Sequence, residues 1–204
     1  MDDKALMTCA TMFSTHYGTW QHSGKPVTLS PAKLRRDFLF DDSCGLFTNE
    51  HGHAFFKLFD YEPLGKICWI TQLVCYTKDM KEKVCYAKDL ISKVSSSCKC
   101  NILAIVSSYP YAIDAVGYDP EPSKTGDNVA PSKTGDNVAP SQTSDNVALT
   151  TTWASALLKA CGIPYLQDVQ LEPNHQVNTK FFIQRLDSVT DLPDGYEYIA
   201  LNKV

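Results

Sequence analysis

Two short pairs of residues in this 204-residue sequence carry side chains that commonly bind metal ions. His51 and His53 are separated by one residue, and so are Cys98 and Cys100. Structural zinc sites combine two such pairs at characteristic spacings. Neither pair belongs to a two-pair pattern of that kind, and joining them requires a contact that the sequence does not show. The sequence therefore predicts no metal site.

Cysteine chemistry is the next candidate, because the chain has eight cysteines. Several lie in apolar segments such as residues 67–70, and a buried cysteine in a reducing compartment usually behaves as a small hydrophobic side chain. We therefore expect free thiols rather than a disulfide framework. Covalent catalysis at Cys75 or Cys85 would need a neighbouring base, and no histidine lies near either residue in the sequence.

Composition and charge narrow the function classes further. The chain carries 19 Lys and Arg against 23 Asp and Glu, a net charge of −4, and 44% of its residues are hydrophobic. This balance gives no electrostatic reason to bind nucleic acid. No apolar run approaches the ~20 residues that cross a bilayer, and the first residues do not resemble a signal peptide. We expect one soluble domain without a membrane or nucleic-acid partner, located in the cytoplasm or also in the nucleus.

A nine-residue repeat interrupts the sequence. The unit PSKTGDNVA at residues 122–130 recurs at 131–139 and, with two substitutions, at 140–148. Its polar composition buries too little apolar surface to offset the entropy of ordering. A calcium site is disfavoured because the carboxylates stand nine residues apart without a second ligand set. We predict a mobile insertion over residues 118–148 within one domain formed by residues 1–117 and 149–204; this insertion carries most of the net negative charge.

The remaining segments alternate between helical and extended patterns. Ser30 and Pro31 are typical of a helix start, Asn49 and Gly52 suit a hairpin turn, and an almost uncharged segment predicts a strand covered on both faces. The predicted helices are residues 31–40, 81–94 and 152–161, and the predicted strands are residues 46–48, 53–59, 67–75, 101–107, 166–171, 180–184 and 196–201. This order predicts an α/β layered domain with an antiparallel first part and a helical crossover.

Four segments in this order resemble the GNAT superfamily of N-acetyltransferases, in particular a fungal branch. They are residues 12–18 (MFSTHYG), 67–74 (ICWITQLV), 104–113 (AIVSSYPYAI) and 156–162 (ALLKACG). The resemblance covers most of the chain outside the repeats. It implies a mixed sheet with antiparallel first strands, splayed central strands and flanking helices, and an acetyl group transferred from acetyl-CoA to an amine by direct attack in a ternary complex.

The resemblance also implies where acetyl-CoA binds. The pantetheine arm would pair with the end of the central strand, and the pyrophosphate would bind the amides of a loop and helix start. The family's Gln/Arg-x-x-Gly-x-Gly/Ala motif falls on residues 82–87, where Glu82 and Cys85 replace the Gln/Arg and the first Gly. The cofactor-binding residues implied are Gln72, Leu73, Val74, Cys75, Lys83, Val84, Cys85, Tyr86, Ala87, Lys88, Ser107 and Ser108.

Catalytic and acceptor-binding residues follow from the same resemblance. The family often uses a helical Tyr as acid, and Leu158 stands at that position, so Tyr109, Tyr111 or Tyr165 would have to replace it. Glu62, with Asp60 beside it, is the candidate base. His16 and Tyr17 would either line the pocket for a small amine or peptide acceptor or pack beneath its loop.

Three functions remain open at this point. The first is an N-acetyltransferase acting as a monomer or homodimer. The second is a GNAT-fold binding module that has lost catalysis, suggested by Glu82, Cys85 and Leu158. The third is a small thiol or metal-binding protein, suggested only by the cysteine count.

Overall fold

A computed structural model describes residues 2–77, 79–117, 143–184 and 192–204. The helices in these ranges are α1 (Asp3–His16), α2 (Pro31–Phe38), α3 (Met80–Cys98), α4 (Pro110–Val116) and α5 (Thr143–Ala160). The strands are β1 (Thr19–Trp20), β2 (Cys44–Asn49), β3 (Gly52–Tyr61), β4 (Gly65–Cys75), β5 (Ile102–Ser107), β6 (Leu171–Glu172), β7 (Gln176–Phe181), β8 (Ile183–Gln184) and β9 (Gly195–Lys203). None of these helices combines the length and the apolar character needed to cross a lipid bilayer.

Seven of the strands form one mixed sheet in the order β2-β3-β4-β5-β9-β7-β6. The pair β4 and β5 is parallel, and the other neighbours in this sheet are antiparallel. Helix α3 forms the crossover between the two parallel strands, as such a connection requires. Strands β1 and β8 pair separately. The predicted α/β class, with an antiparallel first part and a helical crossover, is confirmed.

The local signals in the first half of the chain mark the start of α2 and the β2-β3 turn correctly, whereas α1, β1 and the later helix α4 lie in no predicted element. The Ser30 hydroxyl accepts a hydrogen bond from the Lys33 amide at 3.2 Å, so it caps α2 as its position predicts. Strands β2 and β3 form the expected hairpin, with Asn49 paired to Gly52. Helix α3 extends four residues beyond its predicted end, to Cys98, and its C-cap residue Lys99 has a φ of 49°.

The chain after α4 departs from the predictions at three places. Residues 166–171 were predicted as a strand, but a 3₁₀ turn at Pro164–Leu166 precedes a strand of only two residues, Leu171–Glu172. The ring of Pro164 favours that turn, and Leu166 is buried against the sheet. The predicted strand 180–184 is divided, because β7 ends at Phe181 and β8 turns away to pair with β1.

The third departure concerns the repeats. Residues 118–142, which hold the first two copies and the start of the third, lie outside the described residues. Helix α5 begins at Thr143, inside the predicted insertion and nine residues before its predicted start. Ser144 occupies the position that is Gly126 and Gly135 in the first two copies. Serine has a higher helix propensity than glycine, and this substitution helps the third copy to join the helix.

The central strand β4 is covered on both faces, as its lack of charge predicts. Its residues 67–75 are all buried. On one face Cys68 and Ile70 pack with α3 and α4. On the other face Ile67 and Trp69 pack with α5, while Val74 packs against α1. The helices therefore form two layers, with α3 and α4 on one side of the sheet and α1, α2 and α5 on the other.

One ion pair between a buried lysine and a partly exposed aspartate holds the start of β2 against β3. Lys57 of β3 is 8% exposed, and its ammonium lies 2.5 Å from an Asp41 carboxylate oxygen and 4.6 Å from the centroid of the Phe40 ring. Burial by itself raises the pKa of Asp41, but hydrogen bonds from Lys57 and Ser43 hold the pKa of that carboxyl well below its ordinary value. The charged carboxylate is thus stabilised by folding.

Replacing Asp41 with Asn should lower the free energy of unfolding at pH 7 by about 1 kcal/mol, a value reduced for the partial exposure of the carboxylate. Because the folded-state pKa is depressed, the contribution of Asp41 is fully present above its unfolded pKa of about 4 and decreases progressively as pH falls from there towards the folded-state pKa. Urea unfolding of Asp41→Asn and of the exposed neighbour Asp42→Asn at pH 7 and pH 3 measures this. Equal stability of Asp41→Asn and the unmodified protein at pH 7 contradicts the prediction.

Candidate functional site

The two parallel strands at the centre of the sheet separate before they end. They pair only where residues 67–70 of β4 face residues 102–105 of β5. Beyond this point β4 continues to Cys75 along β3, whereas β5 continues to Ser107 along β9. The two strands therefore diverge between residues 71–75 on one side and 106–108 on the other, and we call the region between these two segments, both of which are described, the cleft.

A β-bulge at Thr71 accompanies the separation. On β3, Phe56 pairs with Ile70 and Phe55 with Gln72, so Thr71 is the extra residue on β4. A bulge bends its strand and increases the local twist, which turns the end of β4 away from β5. The Thr71 carbonyl accepts a hydrogen bond from the Tyr165 hydroxyl at 3.2 Å. The Thr71 hydroxyl itself is buried and has no hydrogen-bond partner in the described part of the chain.

Aromatic side chains cover the mouth of the cleft. The Tyr17 ring, directly after α1, lies 5.7 Å from the Tyr109 ring, which lies 5.4 Å from the Tyr111 ring. The Tyr109 hydroxyl donates a hydrogen bond to the Tyr17 carbonyl. On the outer side Tyr17 contacts Phe181, which contacts Trp20, and these last two side chains are 39% and 40% exposed. The sequence-predicted residues Tyr17, Tyr109 and Tyr111 therefore meet at one place.

A carboxylate lies on the α5 side of the cleft. Glu197 of β9 is 8% exposed and accepts a hydrogen bond from the Thr179 hydroxyl at 2.7 Å. Alternation along the strand places it on the face of Ile199, which packs against α5. Burial is the main cause that raises the pKa of Tyr165, and the negative charge of Glu197 raises it further. Burial also raises the pKa of Tyr17, with smaller contributions from Tyr109 and Glu197. Both phenols are therefore protonated at neutral pH and can donate hydrogen bonds.

A lysine lies on the opposite, α3 side of the cleft. Lys83 is 6% exposed, and its ammonium is 5.8 Å from the centroid of the Tyr111 ring. Burial raises the pKa of the Cys75 thiol to about 12, and the positive charge of Lys83 offsets this only in part. Cys75 is thus a neutral thiol at physiological pH, which makes it a poor nucleophile. The cleft carries a positive group towards α3 and a negative group towards α5.

The start of α3 differs from the implied phosphate-binding loop. Asp79 caps the helix, and its carboxylate accepts hydrogen bonds from the Lys81 and Glu82 amides at 2.9 and 3.0 Å. The Lys83 amide donates to the Asp79 carbonyl, and residues 83–88 lie inside the helix. The amides implied to hold the pyrophosphate are therefore engaged within the helix itself. The pair Asp79 and Glu82 has capping-box spacing, which is the sequence signal for this boundary.

Other predicted site residues are placed as follows. Ser107 and Ser108 are buried where β5 ends, and the Ser107 hydroxyl accepts from the Tyr109 amide at 3.1 Å. Glu62 is exposed in the turn between β3 and β4, at the opposite end of β4 from the cleft, and Asp60 is close to it in sequence. The structure therefore does not bring Glu62 together with the tyrosines. His16 lies outside the cleft mouth, with its ring 4.7 Å from that of Tyr76.

Two residues at the site, Glu197 and His53, were not predicted from the sequence to belong to it. Glu197 lies within the predicted strand 196–201. A carboxylate at an inward-facing position of a strand is the sequence signal that could have identified it. His53 was considered only as a metal ligand, but its Nε2 atom is 3.0 Å from the Gln72 side-chain oxygen, beside the cleft. His53 is fully buried, its Nδ1 atom has no partner among the described residues, and burial lowers its pKa to about 4 despite the hydrogen bond to Gln72.

The histidine pair, His51 and His53, and the cysteine pair, Cys98 and Cys100, do not lie together. The His51 ring stacks on the Tyr86 ring at 4.1 Å, whereas Cys98 and Cys100 lie near Cys68, at the other end of β4. Across the described ranges, no group of three or more His, Cys, Asp or Glu side chains is placed to hold a metal ion.

The buried His53 predicts a pH dependence of stability. Its folded pKa lies below the unfolded value of about 6.5, so protonation favours the unfolded chain, and the free energy of unfolding should fall by about 3 kcal/mol between pH 7 and pH 4. His53→Gln should remove most of this slope, although it also lowers stability at pH 7. Denaturant unfolding across this pH range tests the effect, with the partly exposed His51→Gln as the control. The assignment of this pH dependence to His53 would be contradicted if the free energy of unfolding still falls between pH 7 and pH 4 in His53→Gln but no longer falls in His51→Gln.

Comparison with known proteins yields no relative of this chain. No protein-family model, no curated protein and no solved structure matches it.

Proposed function

We propose that this protein is an N-acetyltransferase with a GNAT-like fold, which transfers the acetyl group of acetyl-CoA directly to an amine in a ternary complex. The observation that carries the proposal is the separation of β4 from β5 after Ile70. Among the described residues, no strand lies beside this edge of β4 beyond Ile70. The two amide groups of a pantetheine arm are suited to bind such an edge as an added strand. Gln72, Leu73, Val74 and Cys75 lie along this edge.

The charges on the two sides of the cleft support one orientation of the substrates. Lys83 lies on the α3 side, where it favours the anionic end of acetyl-CoA. Glu197 lies on the α5 side, where it favours an ammonium acceptor. The half-exposed Trp20 and Phe181 rings adjoin Tyr17 on the outer side and offer an apolar contact to a small amine or a peptide.

The roles of the residues follow from this orientation. Bound acetyl-CoA supplies an acetyl thioester that is activated towards attack by an amine. Glu197 accepts the proton that an ammonium acceptor must lose before its nitrogen becomes nucleophilic. The hydroxyls of Tyr109 and Tyr165 donate hydrogen bonds to backbone carbonyls beside the cleft, and one of them supplies the proton to the departing sulfur. Tyr111 positions the Lys83 ammonium.

The fit to the phosphates of acetyl-CoA is weaker than the fit to its arm. Asp79 occupies the amides at the start of α3, and the Glu82 carboxylate lies beside them, 2.6 Å from the Thr77 hydroxyl. A phosphate there meets negative charge and has to rely on lysine side chains such as Lys83 and Lys88. This observation favours the second candidate function, a GNAT-fold binding module without turnover.

We also propose partners, a cellular location and an oligomeric state for the protein. Its partners are a small amine or a peptide acceptor rather than nucleic acid or a membrane, and it acts in the cytoplasm, or also in the nucleus, as a monomer or homodimer. The mildly acidic net charge supports the absence of a nucleic-acid partner.

Isothermal titration with acetyl-CoA should show binding, and Lys83→Met should weaken it by about tenfold, because one ion pair to a phosphate is removed. Lys93→Met is the matched control, since Lys93 lies on the same helix in an exposed pair with Asp89, and its affinity should not change. Absence of binding at millimolar acetyl-CoA would overturn the proposed N-acetyltransferase function. Mass spectrometry of amine panels then separates the two candidates, because binding without acetylated product identifies the module.

A further inference from the structure

Three cysteines meet at the end of β4 that is remote from the cleft. Cys68 belongs to β4, Cys98 ends α3, and Cys100 follows it before β5. The Cys68 thiol lies within hydrogen-bonding reach of both other sulfur atoms. Cys68 and Cys100 belong to one buried core cluster, and Cys98 packs against it. All eight cysteines are free thiols.

The backbone holds these thiols together. Lys99, between the last two cysteines, has a φ of 49°, and its amide donates to the Ser95 carbonyl at 2.9 Å, which ends α3 abruptly. The next residue, Asn101, then binds Lys66 twice: its amide donates to the Lys66 carbonyl at 2.8 Å, and its side-chain oxygen accepts from the Lys66 amide at 2.9 Å. Cys100 is thereby fixed beside the start of β4.

The three thiols have different environments. Cys68 is fully buried, Cys100 is 9% exposed, and Cys98 is half-buried. The hydrogen bond from Cys68 lowers the pKa of Cys100 to about 6, with smaller contributions from Ser95 and the positive charge of Lys66. A hydrogen bond with Cys68 also lowers the pKa of Cys98, and the two thiol neighbours raise the pKa of Cys68. The Ser95 hydroxyl lies 3.7 Å from the Cys100 sulfur. A thiolate at Cys100 thus stands beside a protonated thiol at neutral pH.

We propose that Cys68, Cys98 and Cys100 form a thiol site that is oxidised by hydroperoxides, in which Cys100 reacts first and Cys68 then forms a disulfide with it. The Cys100 thiolate attacks the terminal oxygen of a hydroperoxide; a sulfur–oxygen bond forms, the peroxide bond breaks, and a proton from water completes the departing alcohol or water. The Cys68 sulfur next displaces the hydroxyl of the sulfenic acid, and its proton leaves with that hydroxyl as water.

Two observations distinguish this site from the other thiol chemistry of the chain. Cys85 is exposed on α3, and within the described part of the chain it has no contact with another cysteine sulfur, so its oxidation would stop at a sulfenic acid. The three sulfur atoms do not form a group placed to hold a metal ion, a statement that covers the described residues only. The site is independent of acetyl transfer, because it lies at the opposite end of β4 from the cleft.

Peptide mapping of the reduced, folded protein after treatment with a small excess of hydrogen peroxide tests the proposal. Non-reducing digestion should yield one cross-linked peptide pair containing Cys68 and Cys100, lighter than the separate peptides by two hydrogen atoms. Cross-linking should precede oxidation of Cys85, which serves as the exposed reference within the same molecule. A preparation without this cross-link, one in which Cys98 replaces Cys100 in it, or one in which Cys85 oxidises first overturns the proposal.

Three variants assign the roles. Cys68→Ala should abolish the cross-link and leave a sulfenic acid at Cys100 that dimedone labels, whereas Cys98→Ser should retain the cross-link at a rate within about twofold, since Cys98 only neighbours the reacting pair. Because Cys68 is buried, circular dichroism first establishes that its variant is folded; Cys100→Ser, which should lose both cross-link and label, provides the second readout. Labelling that persists in Cys100→Ser, or a cross-link lost in folded Cys98→Ser, contradicts the assignment.

Discussion

The four-residue parallel contact between residues 67–70 and 102–105 is the constraint on which the rest of the structure depends. It joins two antiparallel halves, β2-β3-β4 and β5-β9-β7-β6, into one sheet. Each central strand follows its antiparallel neighbour once the contact ends. Extending the contact would close the cleft, whereas shortening it would divide the core, because Ile70 and Ile105 pack there with α3 and α4.

The cleft is a place where polar groups are buried in a largely apolar core. Buried hydroxyl, imidazole and carboxylate groups reduce stability unless they find hydrogen-bond partners. Tyr165 and Glu197 have them, whereas the Thr71 hydroxyl and the Nδ1 atom of His53 have none among the described residues. Unpaired buried polar atoms concentrate at sites that bind or react. Their presence beside the separated strands supports a functional role for this region.

Helix α3 links the two candidate chemistries of the chain. Its first turns place Lys83 at the cleft, and its last residue, Cys98, lies at the thiol site. The helix packs along β4 through Leu90, Ile91 and Val94, so both ends are fixed relative to the same strand. Its N-terminus is capped by the chain's own Asp79, which leaves the lysine side chains rather than the helix amides to contact an anion.

The sequence by itself determined the layer architecture and most of the local elements before residue 160, although α1 and α4 were not among them. Caps, turn residues and apolar periodicity depend on neighbours within a few positions, so Ser30, the Asn49 to Gly52 turn and the uncharged strand through Trp69 were sufficient to predict α2, the β2-β3 hairpin and β4. The same signals were ambiguous after residue 160, where Pro164 and a divided strand interrupt the pattern.

Only the tertiary structure decided which side chains meet. Glu197 joins Tyr17 and Tyr165, and Cys68 joins Cys98 and Cys100, through contacts between segments far apart in sequence. Such contacts depend on strand register and on the bulge at Thr71, and a shift of one residue in register turns every side chain of a strand to its opposite face. Composition and periodicity do not determine the register of strands whose partners lie so far away, and so the cleft and the thiol site emerge only when the sheet is assembled.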